Sequence, residues 1–177
     1  LEKTAIDHTI GEIYRLSDEG KTPLAFISDG ALLGIIAVAD TVRNSGASAI
    51  SDFRALGLDT ILLTGDNKRT AEAVRKTVGI DRVISDVMPG DKEAYIRELQ
   101  ENGHHVLMIG DGINDAPALT RADVGMAIGA GTDIAIDSAD IVLIKSSLSD
   151  AVTAISLSRS VMRNIKENLF WAFFYNV

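Results

Sequence analysis

The pattern of apolar and polar positions divides the chain into two parts with different organisation. The first part, residues 1–39, has a helical period followed by two apolar runs that meet at Asp29-Gly30. This dipeptide between two such runs is a strong signal of a β-hairpin. The elements predicted here are a helix at 7–19 and strands at 23–28 and 31–39.

The second part, from residue 44 onward, alternates regularly between helical periods and short apolar runs. We expect strands at 60–63, 82–85, 106–109, 124–128 and 141–144, and helices at 45–56, 68–78, 91–102, 114–121 and 133–138. Regular alternation with short turns is typical of a parallel sheet. We therefore expect an α/β domain with helices on both faces of the sheet, and the change of pattern at residues 40–43 is a candidate domain boundary.

The last part of the chain is helical from residue 149 and becomes apolar and aromatic over residues 168–177. A membrane-spanning helix needs about 20 apolar residues, and this run is shorter. An amphipathic core helix, the alternative, would keep a polar face, which this run lacks. Because Arg159, Arg163 and Lys166 precede the run on one helical face, as the positive-inside rule requires, we favour the cytosolic start of a membrane helix.

Composition narrows the classes of function. The chain has 177 residues, of which 46% are hydrophobic, enough for a sizeable core. Its net charge of −8 argues against a nucleic-acid partner and suits a domain that concentrates Mg²⁺. The absence of cysteine excludes disulfides and thiolate metal sites within this chain. Because the chain does not begin with methionine and ends abruptly at Val177, we expect it to be a piece of a longer protein.

The most informative segment is residues 110–119, GDGINDAPAL, which follows the predicted strand at 106–109. Asp111, Asn114 and Asp115 place three oxygen-bearing side chains in five positions, and glycines on both sides of Asp111 let the backbone approach a ligand closely. Oxygen ligands on a rigid turn suit a hard cation such as Mg²⁺. A simple helix cap, the alternative, would use only one Asp or Asn.

Two further turns carry phosphate-binding chemistry. Thr64-Gly65-Asp66 follows the strand at 60–63. A hydroxyl, a glycine and a helix N-terminus with free N–H groups can together bind a phosphate. An ordinary helix N-cap is the alternative, and it fits the same residues equally well. Pro89-Gly90-Asp91-Lys92 breaks the chain and places Lys92 in the first turn of a helix, against the helix dipole. A solvated surface lysine is the alternative, but a cation beside a phosphate site is the better use of this residue.

These three segments, in this order and spacing, resemble the P-type ATPases. Such proteins are membrane ion pumps whose phosphorylation domain has the haloacid dehalogenase fold. The resemblance implies that residues 1–39 are the tail of the nucleotide-binding domain. It implies that residues 40–150 form an incomplete phosphorylation domain and that residues 151–177 form a helix entering the membrane.

The resemblance also gives each site residue a role. Asp111 would ligate Mg²⁺ with Asp115, and Asn114 would hold that site together beside the bound nucleotide. Thr64 would bind the transferred phosphoryl group, and Lys92 would neutralise its charge. The two residues that would shape the loop near nucleotide and phosphate are Gly65 and Asp66.

The nucleophile of such a pump is an aspartate in an Asp-Lys-Thr-Gly-Thr motif, which this chain lacks. The resemblance places it upstream of residue 1, in another part of the same polypeptide. A second hypothesis is a soluble haloacid-dehalogenase-type phosphatase that uses Asp40, although Val42 stands where such enzymes have a second acid. A third is a non-catalytic fragment.

The end of the chain indicates the transported ion. Tyr175-Asn176 resembles a pair in the intramembrane metal pathway of copper(I) pumps, which implies Cu⁺, or Ag⁺, as the transported ion. Asn176 would be a polar group in an apolar helix, which is costly in lipid and therefore often functional; a Tyr that anchors the helix at the interface is the alternative. The implied partners are ATP and membrane lipid, with the protein in the cell membrane and residues 1 to about 165 in the cytosol.

Overall fold

The order of elements in the structure is the one that the sequence predicts. The computed structural model describes residues 3–29, 31–39, 44–111, 113–129, 133–145 and 147–175. Its elements are α1 (Lys3–Asp18), β1 (Thr22–Ser28), β2 (Ala31–Val38), α2 (Asn44–Ala55), β3 (Ile61–Leu63), α3 (Lys68–Val78), β4 (Arg82–Ile84), α4 (Lys92–Glu101), β5 (Leu107–Gly110), α5 (Ala116–Arg121), β6 (Val124–Ile128), α6 (Asp133–Asp137), β7 (Ile141–Leu143) and α7 (Leu148–Phe174). Short 3-10 turns at Pro89–Asp91 and Ile113–Asp115 precede α4 and α5. Each expected helix and strand is present, with its ends shifted by a few residues.

The hairpin at the start of the chain is confirmed. β1 and β2 pair in antiparallel register, and Asp29 has a left-handed backbone conformation, with a φ of 49°, in the turn. Large apolar side chains of the hairpin are exposed to solvent: Ile27 is 62% exposed and Leu33 is 72% exposed. The described residues therefore leave much of this hairpin uncovered.

The parallel strands form two sheets. β3 pairs with β4, while β5, β6 and β7 form a three-stranded sheet in that order. The α/β class is confirmed, but the described strands that we expected in one parallel sheet lie in two. Within the described residues, no hydrogen-bonded ladder joins these two strands, so each has one unpaired edge.

One apolar core holds the two sheets together. Leu62 of β3, Ile109 of β5 and Met126 of β6 all belong to it. Phe53 of α2 and Ala151 of α7 close the core from the helical side. Burial of these side chains therefore joins β3 to β5 where backbone hydrogen bonds do not.

The three-stranded sheet is covered on both faces. Along β6, Val124, Met126 and Ile128 face the core that contains α2 and α7. Gly125 points the other way, where an added Cβ would lie 2.6 Å from the carbonyl oxygen of Leu119 in α5. Because successive side chains of a strand point to opposite faces, α5 lies on the face opposite α2 and α7. The glycine is required by this close approach of helix and strand.

Three aspartates, which we call the strand-end aspartates, bind the amino ends of neighbouring strands. Each directly precedes one strand, and its carboxylate accepts a hydrogen bond from a backbone N–H at the start of the adjacent strand. The pairs and their N···O distances are Asp81 with Thr60 (2.9 Å), Asp123 with Val106 (2.8 Å) and Asp140 with Gly125 (2.8 Å). These contacts set the register of the parallel strands at the edge opposite the candidate site.

Of the strand-end aspartates, Asp81 has the largest lowering of its side-chain pKa. Its carboxylate also accepts hydrogen bonds from the Thr60 hydroxyl and the Arg54 guanidinium, both at 2.7 Å. The bond from the Thr60 hydroxyl, followed by those from the Thr60 N–H and Arg54, lowers the pKa of Asp81 to about 2. The Val106 N–H likewise lowers the pKa of Asp123.

The predicted C-terminal helix is confirmed as the single long helix α7. Ser147 caps it by accepting a hydrogen bond from the Ser149 N–H. Its first turns pack against α2, whereas residues 157–175 are exposed on every side. Within the described residues, none of the helices has the length and apolar character needed to cross a membrane.

We predict that Asp81→Asn lowers the thermal unfolding temperature at neutral pH and weakens its dependence on acid. The pKa of Asp81 is depressed in the folded state, so its contribution to stability is present above the unfolded pKa of about 4. That contribution is lost as the pH falls toward about 2. Circular dichroism melts between these two pH values measure the effect, with Asp59→Asn, an exposed neighbour, as the matched control. Equal melts for Asp81→Asn and the control would show that the carboxylate does not stabilise the strand ends.

Candidate functional site

An ion pair between Lys92 and Asp115 joins two loops of the α/β part. Lys92 is the first residue of α4, and Asp115 ends the 3-10 turn before α5. The Lys92 Nζ lies 2.6 Å from Asp115 Oδ1, and the two side chains are only 18% and 11% exposed. Such a shielded pair is screened much less by salt than a surface pair. Lys92 is therefore held in place, and the alternative of a solvated surface lysine is wrong.

Gly110 makes room for the Asp115 carboxylate. A Cβ at Gly110 would lie 2.7 Å from the Asp115 Cβ and 2.8 Å from its Oδ2. The same Oδ2 accepts a long hydrogen bond, 3.4 Å, from the backbone N–H of Asp111. We expected glycine here to let a ligand approach the backbone. At Gly110 the group that comes close is instead the side chain of Asp115.

The Asp111 carboxylate is the one available to a cation. Asp111 is exposed, and within the described residues no hydrogen bond or ion pair engages its carboxylate. Asp115, by contrast, uses one oxygen on Lys92 and the other on the Asp111 N–H. Asn114 is exposed beside them, whereas Gly112 lies outside the described residues.

The described oxygen ligands near Asp111 are too few for a metal that is bound by protein side chains alone, but they are sufficient for Mg²⁺ that also binds a phosphate. Among the described residues, no group of three or more His, Cys, Asp or Glu side chains could hold a metal ion. Mg²⁺ commonly keeps several waters and binds through one or two carboxylates plus substrate phosphates. A single free carboxylate such as Asp111 meets that requirement only together with a phosphate.

The Thr64 loop is ordered by Asp66. The Thr64 hydroxyl donates a hydrogen bond of 3.0 Å to Asp66 Oδ2, and it accepts one of 3.1 Å from the backbone N–H of Asp66. Asp66 Oδ1 lies 3.5 Å from the hydroxyl of Thr22 in the hairpin. Asp66 therefore shapes the loop and connects it to β1.

The helix after this loop is capped by Asn67. Its side-chain oxygen accepts hydrogen bonds from the N–H groups of Arg69, at 3.0 Å, and Thr70, at 3.1 Å. The expectation of free N–H groups at this helix N-terminus is therefore wrong for these two groups. The N-cap alternative for Thr64-Gly65-Asp66 is wrong as well, because the cap is one residue further on. An Asn directly before a helical period is the sequence signal that identifies it.

Direct contacts connect the loops that carry Thr64, Lys92 and Asp111. The Val87 N–H donates to the Thr64 carbonyl at 3.1 Å, and a Cβ at Gly65 would lie 3.3 Å from the Val87 carbonyl oxygen. Further along the same loop, the 3-10 turn before Lys92 packs against the 3-10 turn that ends at Asp115. These loops follow the carboxyl ends of β3, β4 and β5, where open α/β sheets bind ligands.

The remaining sequence-predicted residues lie away from this edge or outside the described ranges. Tyr175 ends α7 and is 83% exposed, with its ring 6.4 Å from that of Trp171. Asn176 and Asp40 lie outside the described residues. The structure therefore brings into contact the loops that carry the residues expected to bind Mg²⁺ and phosphate, and it gives no geometry for the Tyr-Asn pair.

Comparison with known sequences points to one group of proteins. Family profiles described as haloacid dehalogenase-like hydrolase match residues 1–123 and residues 92–155. The chain is 48% identical over 99% of its length to the copper-exporting P-type ATPase of Bacillus subtilis. It is 52% identical over 94% of its length to copper-transporting ATPase 1 of Rhizobium meliloti. It spans about a fifth of these curated relatives, 22% and 20% of their lengths.

The chain also resembles solved structures of ATPases. The chain resembles a zinc-transporting PIB-type ATPase with a TM-score of 0.76 and 39% identity, over 92% of this chain and 26% of that one. It also resembles the catalytic domain of a CPx-ATPase with a TM-score of 0.60 and 33% identity, over 74% of this chain and 52% of that one. The protein belongs to the haloacid dehalogenase-like hydrolase family, and its sequence relatives include copper-exporting and copper-transporting ATPases.

Proposed function

We propose that this chain is part of the cytosolic ATP-binding region of a copper(I)-transporting P-type ATPase. The whole pump would use ATP to phosphorylate an aspartate and would couple that cycle to movement of Cu⁺, or Ag⁺, across the cell membrane. The observation that carries the proposal is the contact between the loops of Thr64, Lys92 and Asp111 at one end of the strands. The identity with copper-exporting relatives supports the choice of pump.

Each residue of the site would act on the transferred phosphoryl group in its own way. Thr64 would donate its hydroxyl, which a small rotation frees from Asp66, and Lys92 would place a positive charge beside the phosphoryl oxygens. Asp111 would hold Mg²⁺, which supplies charge stabilisation to the phosphate when bound. Asp115 would position Lys92 and the Asp111 backbone rather than serve mainly as a ligand.

Gly65 and Asn114 would have supporting roles. Gly65 lets the Thr64 loop approach the Val87 carbonyl, where a side chain would be crowded at 3.3 Å. Asn114 is exposed next to Asp111, so that its amide can reach a bound phosphate or a water on the cation. Asp66 would fix the direction of the Thr64 hydroxyl.

The division into two sheets supports an upstream nucleophile. β3 and β5 each have an unpaired edge within the described residues, yet their side chains share one core. A parallel strand from the upstream polypeptide would bond to both edges and would deliver its carboxyl end to the site between Thr64 and Asp111. Residues 40–150 would then be the larger part of the phosphorylation domain.

The first and last parts of the chain would connect this domain to the rest of the pump. The open apolar side chains of the hairpin, Ile27 and Leu33 among them, suit burial by further strands of a nucleotide-binding domain. The exposed aromatic end of α7 suits contact with membrane lipid, with residues before about 165 in the cytosol. Tyr175 and Asn176 would then face the path of the transported metal.

A soluble phosphatase that uses Asp40 is the second candidate function. Asp40 follows β2 and lies outside the described residues, so no geometry supports it. Within the described residues, β3 and β5 each have an unpaired edge, which favours a nucleophile that arrives on another strand.

We predict that the chain by itself does not turn over ATP or small phosphate esters. It lacks the covalent acceptor of a P-type ATPase, and neither Lys92 nor Asp111 can replace a nucleophilic carboxylate. Release of inorganic phosphate from ATP and from p-nitrophenyl phosphate measures this directly. Turnover that disappears in Asp40→Asn would instead support the soluble phosphatase.

We predict that Asp111→Asn in the intact pump lowers Mg²⁺-dependent phosphoenzyme formation by about 100-fold or more, because a charge at the cation is removed while the shape is kept. Incorporation of radioactive phosphate from ATP measures the effect, and Asp52→Asn, exposed on α2, is the matched control. Normal phosphorylation of the Asp111 variant would remove this residue from the metal site.

We predict that Cu⁺ or Ag⁺ stimulates ATP hydrolysis by the full-length protein more strongly than Zn²⁺. Tyr175→Ala and Asn176→Ala should weaken that stimulation, because each removes a polar group from the proposed metal path. Phosphate release at increasing metal concentrations measures both effects. Stimulation by Zn²⁺ alone would contradict the copper assignment while leaving the P-type mechanism intact.

A further inference from the structure

The packing of α7 against the body of the protein ends abruptly. Ala151 is fully buried, and Val152 and Ile155 pack on the core that contains Ala49 and Phe53 of α2. From residue 157 to residue 175 the helix is exposed. Apolar burial therefore fixes only the first two turns of a helix of 27 residues.

One polar contact lies beyond this packed region. The Arg159 Nη1 donates a hydrogen bond of 2.7 Å to the carbonyl oxygen of Leu56, which directly follows α2. The two residues are far apart in sequence, so the bond ties α7 to the end of another helix. Past Arg159, the described residues of α7 are all exposed.

The end of α2 is built to accept such a donor. Gly57 has a left-handed conformation, with a φ of 74°, and the N–H groups of Gly57 and Leu58 turn back to Arg54 and Phe53. The last carbonyls of a helix lack intrahelical donors and carry partial negative charge. A guanidinium, which is always charged and has several N–H groups, complements the Leu56 carbonyl at this position.

The same end of α2 leads directly to the candidate site. Residues 56–60 connect α2 to β3, and Thr64 follows the carboxyl end of β3. On the other side of the contact, α7 continues without proline or glycine to Phe174, roughly 22 Å beyond Arg159 at 1.5 Å per residue. The contact at Arg159 therefore connects the end of α2, which leads to the candidate site, with a helix whose remaining residues are exposed.

We propose that Arg159 is a positioning residue that couples phosphorylation to metal movement, by holding α7 at a fixed angle to α2. This role rests on the proposed pump function. Arg159 does not touch the phosphate site, so phosphoryl transfer does not require it. Without the bond to Leu56, only the apolar contacts of its first turns would hold α7 at its angle to α2.

Arg163 provides the matched control. It lies one turn further along the same face of α7 and is exposed, like Arg159. No hydrogen bond or ion pair of its side chain is present within the described residues. Both substitutions remove one cation from the same helix, but only one removes the contact to α2.

The test compares Arg159→Ala, Arg159→Lys and Arg163→Ala in the full-length pump reconstituted in vesicles. Phosphoenzyme formed from ATP, phosphate release, and silver or copper ions moved per ATP hydrolysed are measured for each. We expect Arg159→Ala to form normal phosphoenzyme while moving about threefold fewer ions per ATP, the scale of losing one charged hydrogen bond at an exposed site. Arg159→Lys should restore part of the lost transport per ATP, because a lysine keeps a positive charge near the end of α2.

Three results would overturn the proposal. In the first, Arg159→Ala moves as many ions per ATP as the unchanged pump. In the second, Arg163→Ala lowers the ratio equally, which would make general loss of positive charge the cause. In the third, Arg159→Ala lowers phosphoenzyme and thermal stability together without changing the ratio, which would make the residue only structural. A wild-type pump with no metal-stimulated hydrolysis would overturn the proposed function itself.

Discussion

The ion pair between Lys92 and Asp115 is the contact on which the site depends. It joins the loop after β4 to the turn after β5, and so it links two sheets that share no backbone hydrogen bonds within the described residues. Leaving one partner of a largely buried pair without the other costs about 3 kcal/mol. Gly110 is part of the same arrangement, because any side chain there would displace the Asp115 carboxylate. In the proposed pump, a phosphate entering beside Lys92 meets a cation that is already held in position.

The order of helices and strands could be predicted from sequence because it depends on local periodicity. The loops that meet at the candidate site could be predicted as well, since glycine, threonine and carboxylates follow short strands. Two details depend on three-dimensional contacts that no local pattern records. One is the space that Gly110 leaves for Asp115, and the other is the division of the strands into two sheets. The Asn67 cap was missed for a different reason, because Thr64 to Asp66 contains equally good capping residues.

The structure also separates the parts of the chain by what stabilises them. The strand-end aspartates and the core fix the α/β part, with the candidate site at the opposite ends of the strands. The hairpin and the distal half of α7 keep large apolar side chains exposed. For example, Leu33 is 72% exposed and Phe173 is 70% exposed. In the proposed pump, these exposed surfaces are where the nucleotide-binding domain and the membrane part join the phosphorylation domain.

The direct test is a crystal structure of the longer protein with Mg²⁺ and beryllium fluoride, which mimics a phosphoryl group on an aspartate. We expect the fluoride-bearing aspartate to lie on a strand between β3 and β5. The Thr64 hydroxyl and Lys92 Nζ should contact the fluoride ligands, and Asp111 should bind Mg²⁺. A structure in which Lys92 remains on Asp115 and away from the fluoride, or in which Mg²⁺ binds elsewhere, would contradict this expectation.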